Sequence, residues 1–446
     1  MKIPVPPPAP TAELVSELEK RGELRVLSDK ALTVDAEYHS WDWFCRHKPP
    51  TGFERRDWWA AVRISRAQSA RLTPFQMKDG TSLTYNLPDP LLRLIDDVSA
   101  RARGQVQLPE PIANSTTRNT YLVRSLIEEA ITSSQLEGAS TSRVRAKEML
   151  REGRAPRDRS EKMIVNNYRA MQRIVALKTE ALTPALVCEI HRIVTAGTLD
   201  NPADAGRIQA PGDSRVRVYG TATEEQVLHV PPAAEELSER LERLCAFANT
   251  ADDVSGKGSY MPPLLRAITL HFMMGYDHYF ADGNGRTSRA VFYWSMLNQG
   301  FFLTEFLSIS RLLRQAPAWY ARSFLLTEQD EGDLTYFFLE QAKVISQAID
   351  ELDAYLARKS QQVREAAMLL REMKLNYRQV AVVEGFLRDP GGSVTVESHR
   401  QEAGVVPQTA RTDLQGLEDR GLLTRHKVGR RVVWYPVPDL ADRVDS

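Results

Sequence analysis

The stretch that most constrains this chain is His278-Tyr-Phe-Ala-Asp-Gly-Asn-Gly-Arg-Thr-Ser-Arg289. Leu264 to Tyr276, before it, is largely apolar and free of proline; Ala290 to Leu297, after it, is mostly apolar. The pattern predicts a helix, a short loop and the start of a second, buried helix. Asn-Gly usually marks a hairpin, but a hairpin needs alternating strands on both sides and neither flank alternates. A calcium loop of the EF-hand type needs a terminal acid, and counted from Asp277 that position falls on Ser288.

The residue types suit a triphosphate. Gly283, Asn284 and Gly285 let the backbone turn sharply and approach a ligand closely. Unpaired N–H groups at the start of the next helix favour an anion, and the helix dipole adds to this. Arg286 and Arg289 fall on one face of that first turn, where two guanidiniums match a polyphosphate. Asp282 offers a carboxylate to a hard cation such as Mg2+, which commonly binds carboxylate together with phosphate oxygens. His278 is a candidate general base for a hydroxyl nucleophile.

With these residues in place, the segment resembles the signature of the Fic (fido) family, His-x-Phe-x-Asp/Glu-Gly-Asn-Gly-Arg-x-x-Arg. Its fixed positions are filled by His278, Phe280, Asp282, Gly283, Asn284, Gly285, Arg286 and Arg289. One preference is missed: Tyr279 stands where a proline is usual, a local loop variation. The resemblance implies a mainly α fold, with a helical Fic core and a small β-hairpin flap. It implies an enzyme that moves AMP from ATP onto a Ser, Thr or Tyr hydroxyl of a protein, itself included. His278 would deprotonate the target, Phe280 anchor the loop and Asp282 bind Mg2+. Gly283, Asn284 and Gly285 would hold the α- and β-phosphates, with Arg286 beside them, and Arg289 would reach the γ-phosphate.

A second stretch bears on the first. Leu122, Leu126, Ile127, Ala130, Ile131 and Leu136 follow helical spacing, and Gly138 suits the position just past the helix end. Glu137 then lies in the last turn, where the dipole disfavours negative charge, and Ser133 shares its face. On the pattern alone, a solvated surface glutamate accounts for this as well as a functional one does. However, Ser133-Ser-Gln-Leu-Glu137-Gly138 resembles the family's inhibitory motif, Ser/Thr-x-x-x-Glu-Gly/Asn. That resemblance implies that Glu137 pairs with Arg289 and leaves ATP in an unproductive pose.

The chain has 446 residues, room for about three domains. Formal net charge is zero, so no global field points to nucleic acid or an anionic membrane. Cys45, Cys188 and Cys245 are far apart, which fits a reducing, cytoplasmic setting without a disulfide framework. No apolar run reaches membrane-spanning length.

Residues 1–108 read as a proline-rich start and an aromatic-rich subdomain. Within it, Thr11 to Arg21 and Leu91 to Ala102 are predicted helices, and Arg63 to Arg66 and Ser82 to Asn86 short strands. Residues 109–356 hold the catalytic core. Helices are predicted over 160–176, 184–196 and 233–249, and a last one from Thr335 to about Leu356. Between Gly206 and Pro232 the resemblance implies a flap that docks the target as an added strand. Its arms would be Arg215 to Tyr219 and Gln226 to Val230, with Val227, Leu228, His229 and Val230 on the docking arm.

Residues 357–374 read as a linker helix. Residues 375–446 show helix, helix-turn-helix and basic hairpin, the winged-helix order, with Gly429 at the tip. Arg425, His426, Lys427, Arg430 and Arg431 suit DNA phosphates, whereas Asp413, Glu418 and Asp419 would repel them if they faced the duplex. Such a module also serves protein docking or homodimer formation. Two other functions stay open at this point. One is a nucleotide-responsive DNA-binding regulator; the other is a Fic enzyme that removes AMP or transfers another group.

Overall fold

The computed structural model describes residues 3–9, 12–22, 36–103, 115–219, 227–250, 260–372, 375–388, 391–428, 431–440 and 443. It divides into two compact units: Met1–Gly104 with Ser125–Ile349, and Gln105–Arg124 with Asp350–Ser446. The fold is mainly helical, with three small two-stranded sheets among the described residues.

The first unit opens with α1 (Ala12–Lys20), α2 (Trp41–Arg46) and α3 (Arg55–Ser69). Leu18, Phe44, Trp58 and Trp59 form their shared core, with Trp41, Trp43 and Phe53 packed against it. The aromatic cluster is thus packing, as its density suggests. The predicted strand Arg63–Arg66 is instead part of α3. A capping box between Glu54 and Asp57 starts that helix, and Trp58, Trp59, Val62 and Arg66 are buried at helical spacing. A hairpin follows, β1 (Arg71–Gln76) with β2 (Ser82–Tyr85), and then α4 (Asp89–Arg103).

The centre of this unit is α10 (Pro263–Asp277) beside α11 (Asn284–Asn298), joined by the motif loop. Both are buried almost all round, as core helices are. Between α4 and α10 run α5 (Ser115–Leu136), α6 (Arg143–Glu152), α7 (Arg159–Ala176), α8 (Pro184–Thr195) and α9 (Leu237–Ala248). α7 and α8 pack on each other and on α11, and α9 packs on α10. Local signals start these helices. The Asp158 carboxylate accepts the Glu161 N–H at 2.8 Å, and the Thr183 hydroxyl accepts the Leu186 N–H at 3.1 Å, just before Pro184. α12 (Ile309–Gln315) and α13 (Pro317–Gln329) follow α11.

The flap is shorter than expected: β3 (Val218–Tyr219) pairs antiparallel with β4 (Val227–His229). Arg215 and Val230 lie outside the strands, and Arg215 turns its side chain to the motif loop. Gly220 and Gln226 lie outside the described residues. α14 runs from Thr335 to Glu372, covering both the helix expected to about Leu356 and most of the linker helix expected after it.

The second unit contains α15 (Tyr377–Arg388), α16 (Val396–Ala403), α17 (Pro407–Asp419) and the hairpin β5 (Leu423–Val428) with β6 (Arg431–Pro436). Val383, Phe386, Leu414, Leu417, Leu422, Leu423 and Trp434 give it a core of its own. The element order fits the winged helix expected. Gly429 and Arg430 lie outside the described residues.

Candidate active site

The motif loop is closed by its own side chains. The Asn284 Oδ1 accepts the Phe280 N–H at 3.0 Å while its Nδ2 donates to the Phe280 carbonyl at 2.7 Å. Phe280 is fully buried and stacks on His191 of α8, rings 3.7 Å apart and 3° from parallel. The His191 Nε2 donates to the Asp282 carbonyl at 2.8 Å, and its Nδ1 accepts the Gly206 N–H at 2.8 Å. Burial lowers its pKa to about 4, so the ring is neutral, as this pair of bonds requires. Tyr279, at the position where proline is usual, is buried and donates to the Asp277 carboxylate at 2.6 Å. The variation therefore has a partner built for it.

His278 ends α10 with a left-handed backbone, φ 47°, an uncommon and strained state for a residue with a side chain. Its Nδ1 donates to the Gly275 carbonyl. A carbonyl can only accept, so the proton sits on Nδ1 and Nε2 keeps its lone pair. Burial, then the neighbouring His229 and Arg215, lower its pKa to about 4. The ring is a neutral proton acceptor at physiological pH.

Asp282 follows, its side chain 54% exposed. One oxygen accepts the Gly283 N–H at 2.6 Å and the other is 3.8 Å from Arg159. Among the described residues no group of three or more His, Cys, Asp or Glu could hold a metal ion. A single open carboxylate fits a Mg2+ that takes its remaining ligands from phosphate and water.

The turn itself requires glycine. Gly283 has φ 82°, and a Cβ there would meet the Thr195 Cγ2 at 2.6 Å. A Cβ on Gly285 would run into the Glu137 carboxylate. That carboxylate therefore lies against the first turn of α11, where an anionic ligand is favoured. It also pairs with Arg289: Nη2 donates to Glu137 Oε1 at 2.8 Å. Arg289 further donates from Nε to the Ser133 Oγ at 2.9 Å and from Nη2 to the Ser133 carbonyl at 2.9 Å. Burial opposes the Arg289 charge, yet Glu137, Tyr320 and Glu129 together outweigh it and the guanidinium pKa is raised. Arg286 is buried and donates to the Val194 carbonyl at 2.7 Å; its Nη2 would lie 3.6 Å from a Cβ on Gly283, and its Nε has no partner among the described residues.

Glu137 holds its place because α5 stops there. Gly138 has φ 89°, and the Ala139 N–H reaches back to the Ser134 carbonyl at 3.0 Å, a Schellman-type end. Two turns earlier on the same face, Glu129 is buried and accepts from the Tyr293 hydroxyl at 2.9 Å and the Ser310 N–H at 3.0 Å. Burial raises its pKa. On the flap, His229 points inward, its ring 6.1 Å from that of His278, while Val227 and Val230 are exposed and Leu228 is half-buried.

The structure thus gathers His278, Asp282, the glycine turn, Arg289, Ser133 and Glu137. Sequence reading missed His191 and Glu129, and placed Arg215 only on an arm of the flap. No spacing ties any of the three to the motif.

Residues 181–296 match the family model described as Fic/DOC family. A curated relative, the Protein adenylyltransferase Fic of Nematostella vectensis, is 27% identical over 180 residues, 40% of this chain. The chain spans 35% of the length of that relative. A Fic family protein from Desulfovibrio desulfuricans shares the fold, with a TM-score of 0.52 at 16% identity, over 82% of this chain and 99% of that one. Fic-1 from C. elegans gives 0.47 at 18% identity, over 76% of this chain and 86% of that one. The signature lies within the matched residues 181–296, so the chain carries a Fic/DOC family domain.

Proposed function

We propose that the chain is a protein adenylyltransferase held in an inhibited state by Glu137. The observation that carries this reading is the position of one carboxylate. Glu137 lies against Gly285 and Arg289, the two groups best placed to receive a phosphate. A site that its own chain fills with an anion is a site built for an anion.

In the productive state the nucleotide takes that place. The N–H groups that open α11 and the Arg289 guanidinium hold the phosphates. Asp282 would hold Mg2+, which neutralises charge on the phosphate oxygens when bound. The target hydroxyl gives its proton to the His278 Nε2 as its oxygen attacks the α-phosphorus. The bond to the β-phosphate oxygen breaks and pyrophosphate leaves. His278 enters this step in the right form, neutral and with a fixed tautomer. The exposed Val227 and Val230 edge of the flap suits a target segment laid down as a strand.

The test uses ATP labelled at the α- or γ-phosphate, with Mg2+. Glu137→Gly should transfer α-label strongly, the native chain weakly, and Glu137→Gly with His278→Ala not at all. Unchanged transfer in Glu137→Gly under saturating Mg-ATP would refute the inhibition. Label from the γ-position would replace adenylyl transfer by a kinase-like reaction.

A second activity is favoured by the winged-helix unit. Asp413, which would repel a duplex if it faced outward, is 3% exposed and paired with Arg378 at 2.7 Å and His399 at 3.3 Å. Glu418 accepts the Trp434 indole N–H at 2.8 Å. α17 exposes Gln408, Arg411 and Thr412 near its start, residue types that read base edges, and Asp419 at its far end. With Arg425 and Lys427 exposed on β5, the unit is suited to duplex DNA.

A further inference from the structure

A helix leaves its last carbonyls without partners inside the helix, and α10 ends on the residue proposed as the base. Five consecutive carbonyls there are satisfied from outside the helical ladder. Gly275 is taken by the His278 Nδ1. The Tyr276 carbonyl accepts from the His229 Nε2 at 2.7 Å. The Asp277 carbonyl accepts from the Arg215 Nη2, and that of His278 from the Arg215 Nη1 at 2.8 Å. Tyr279 accepts from the Gln209 N–H at 2.9 Å. Three of these five bonds therefore come from two side chains of the flap region, one on β4 and one on the segment that leads into β3.

Both side chains are themselves fixed. The Arg215 Nε donates to the Pro232 carbonyl at 2.7 Å, just past β4, so one guanidinium joins both ends of the flap to the loop. The His229 Nδ1 faces the Glu328 carboxylate of α13 at 2.7 Å. Both ring nitrogens of His229 are thus engaged, one by the helix end and one by α13. The Arg215 guanidinium at the helix C-terminus also opposes its dipole favourably. A hairpin that served only to display a docking edge would need none of these bonds.

We propose that Arg215 and His229 are positioning residues for the transfer reaction: they cap the carbonyls that frame His278 and make the flap part of the scaffold that holds the base. This rests on His278 acting as the base. It gives the flap a second role besides docking. The hairpin that would receive the target is bonded to the residue that would deprotonate it. Small misplacements of a reacting group cost rate steeply, so the bonds act on turnover more than on nucleotide affinity.

The test compares Arg215→Lys and His229→Gln, each in the Glu137→Gly background. The readouts are kcat and KM for Mg-ATP in α-label transfer, thermal melting, and the ring signals of His278 by NMR as pH is varied. The expected result is a kcat loss on the order of tenfold or more, with KM for Mg-ATP within about twofold and the melting curve kept. The His278 ring signals should shift in His229→Gln, because the bond that holds the Tyr276 carbonyl beside it is changed. Parental kcat with unmoved His278 signals in both variants would overturn the proposal. So would a loss seen only in KM, or one explained by a smaller folded fraction. If Arg215→Lys does not fold, His229→Gln decides. If the parent transfers no label, the functional reading fails and the NMR measurement alone tests the positioning.

Discussion

At the residue scale, the site depends on which proton each histidine holds. His278 donates from Nδ1 to Gly275, and its pKa is lowered by burial to about 4. The sign follows directly. A lowered pKa means that the neutral, proton-accepting ring persists as pH falls, until about 4 is approached. Transfer by Glu137→Gly should therefore be flat from about pH 8 down to about pH 5.5, where a base of ordinary histidine pKa would lose roughly tenfold. A rate profile over that range checks it, and an inflection near the ordinary value would contradict the burial described. Arg289 shows the same dependence on surroundings. Its charge is buried, and Ser133 and Glu137 supply the oxygens that make burial tolerable.

At the element scale, the end of α5 sets where Glu137 stands. Gly138 has φ 89°, and among the described residues nothing lies within 4 Å of a would-be Cβ, so Gly138→Ala costs backbone strain alone, about 1–2 kcal/mol. A shifted helix end should also loosen Glu137 from Arg289. The expected outcome is a less stable chain that transfers more α-label than the native one, read by melting and label assay together. Lower stability with lower transfer would separate the helix end from the inhibition. Much of this scale was legible in advance. The helices at 160–176 and 184–196 announce themselves by apolar period and by Asp158 and Thr183 at their starts. The motif loop was legible because its residues are contiguous. Arg63–Arg66 misled because four residues cannot distinguish a strand from a piece of helix, while the burial of Trp58, Trp59, Val62 and Arg66 shows its period over a longer window. The parts played by His191 and Arg215 were not legible, since they act on the motif across 91 and 63 positions of chain, and only folding makes them neighbours.

At the scale of the whole molecule, charge is arranged locally, since the formal net is zero. The duplex binding proposed for the winged-helix unit would therefore come from one face, without help from a global field. Binding of a random-sequence duplex pool should weaken steeply with salt, and Lys427→Ala should lower the slope by about one. Arg411→Ala should instead flatten whatever sequence preference a selection from that pool reveals. No binding at low salt would assign the unit to protein docking or homodimer formation. Among the described residues, no helix is long and apolar enough to cross a membrane.

The carboxylate lying over Gly285 has a consequence for how such a chain can change by mutation. Inhibitor and nucleotide would lean on the same two groups, Arg289 and the glycine turn. No substitution there can expel one without harming the other: a methyl group on Gly285 blocks both. Gain-of-function variants selected from a random library should therefore cluster in Ser133–Gly138 and leave His278–Arg289 untouched. Activators recovered within the motif itself would show that the two occupants do not share a seat.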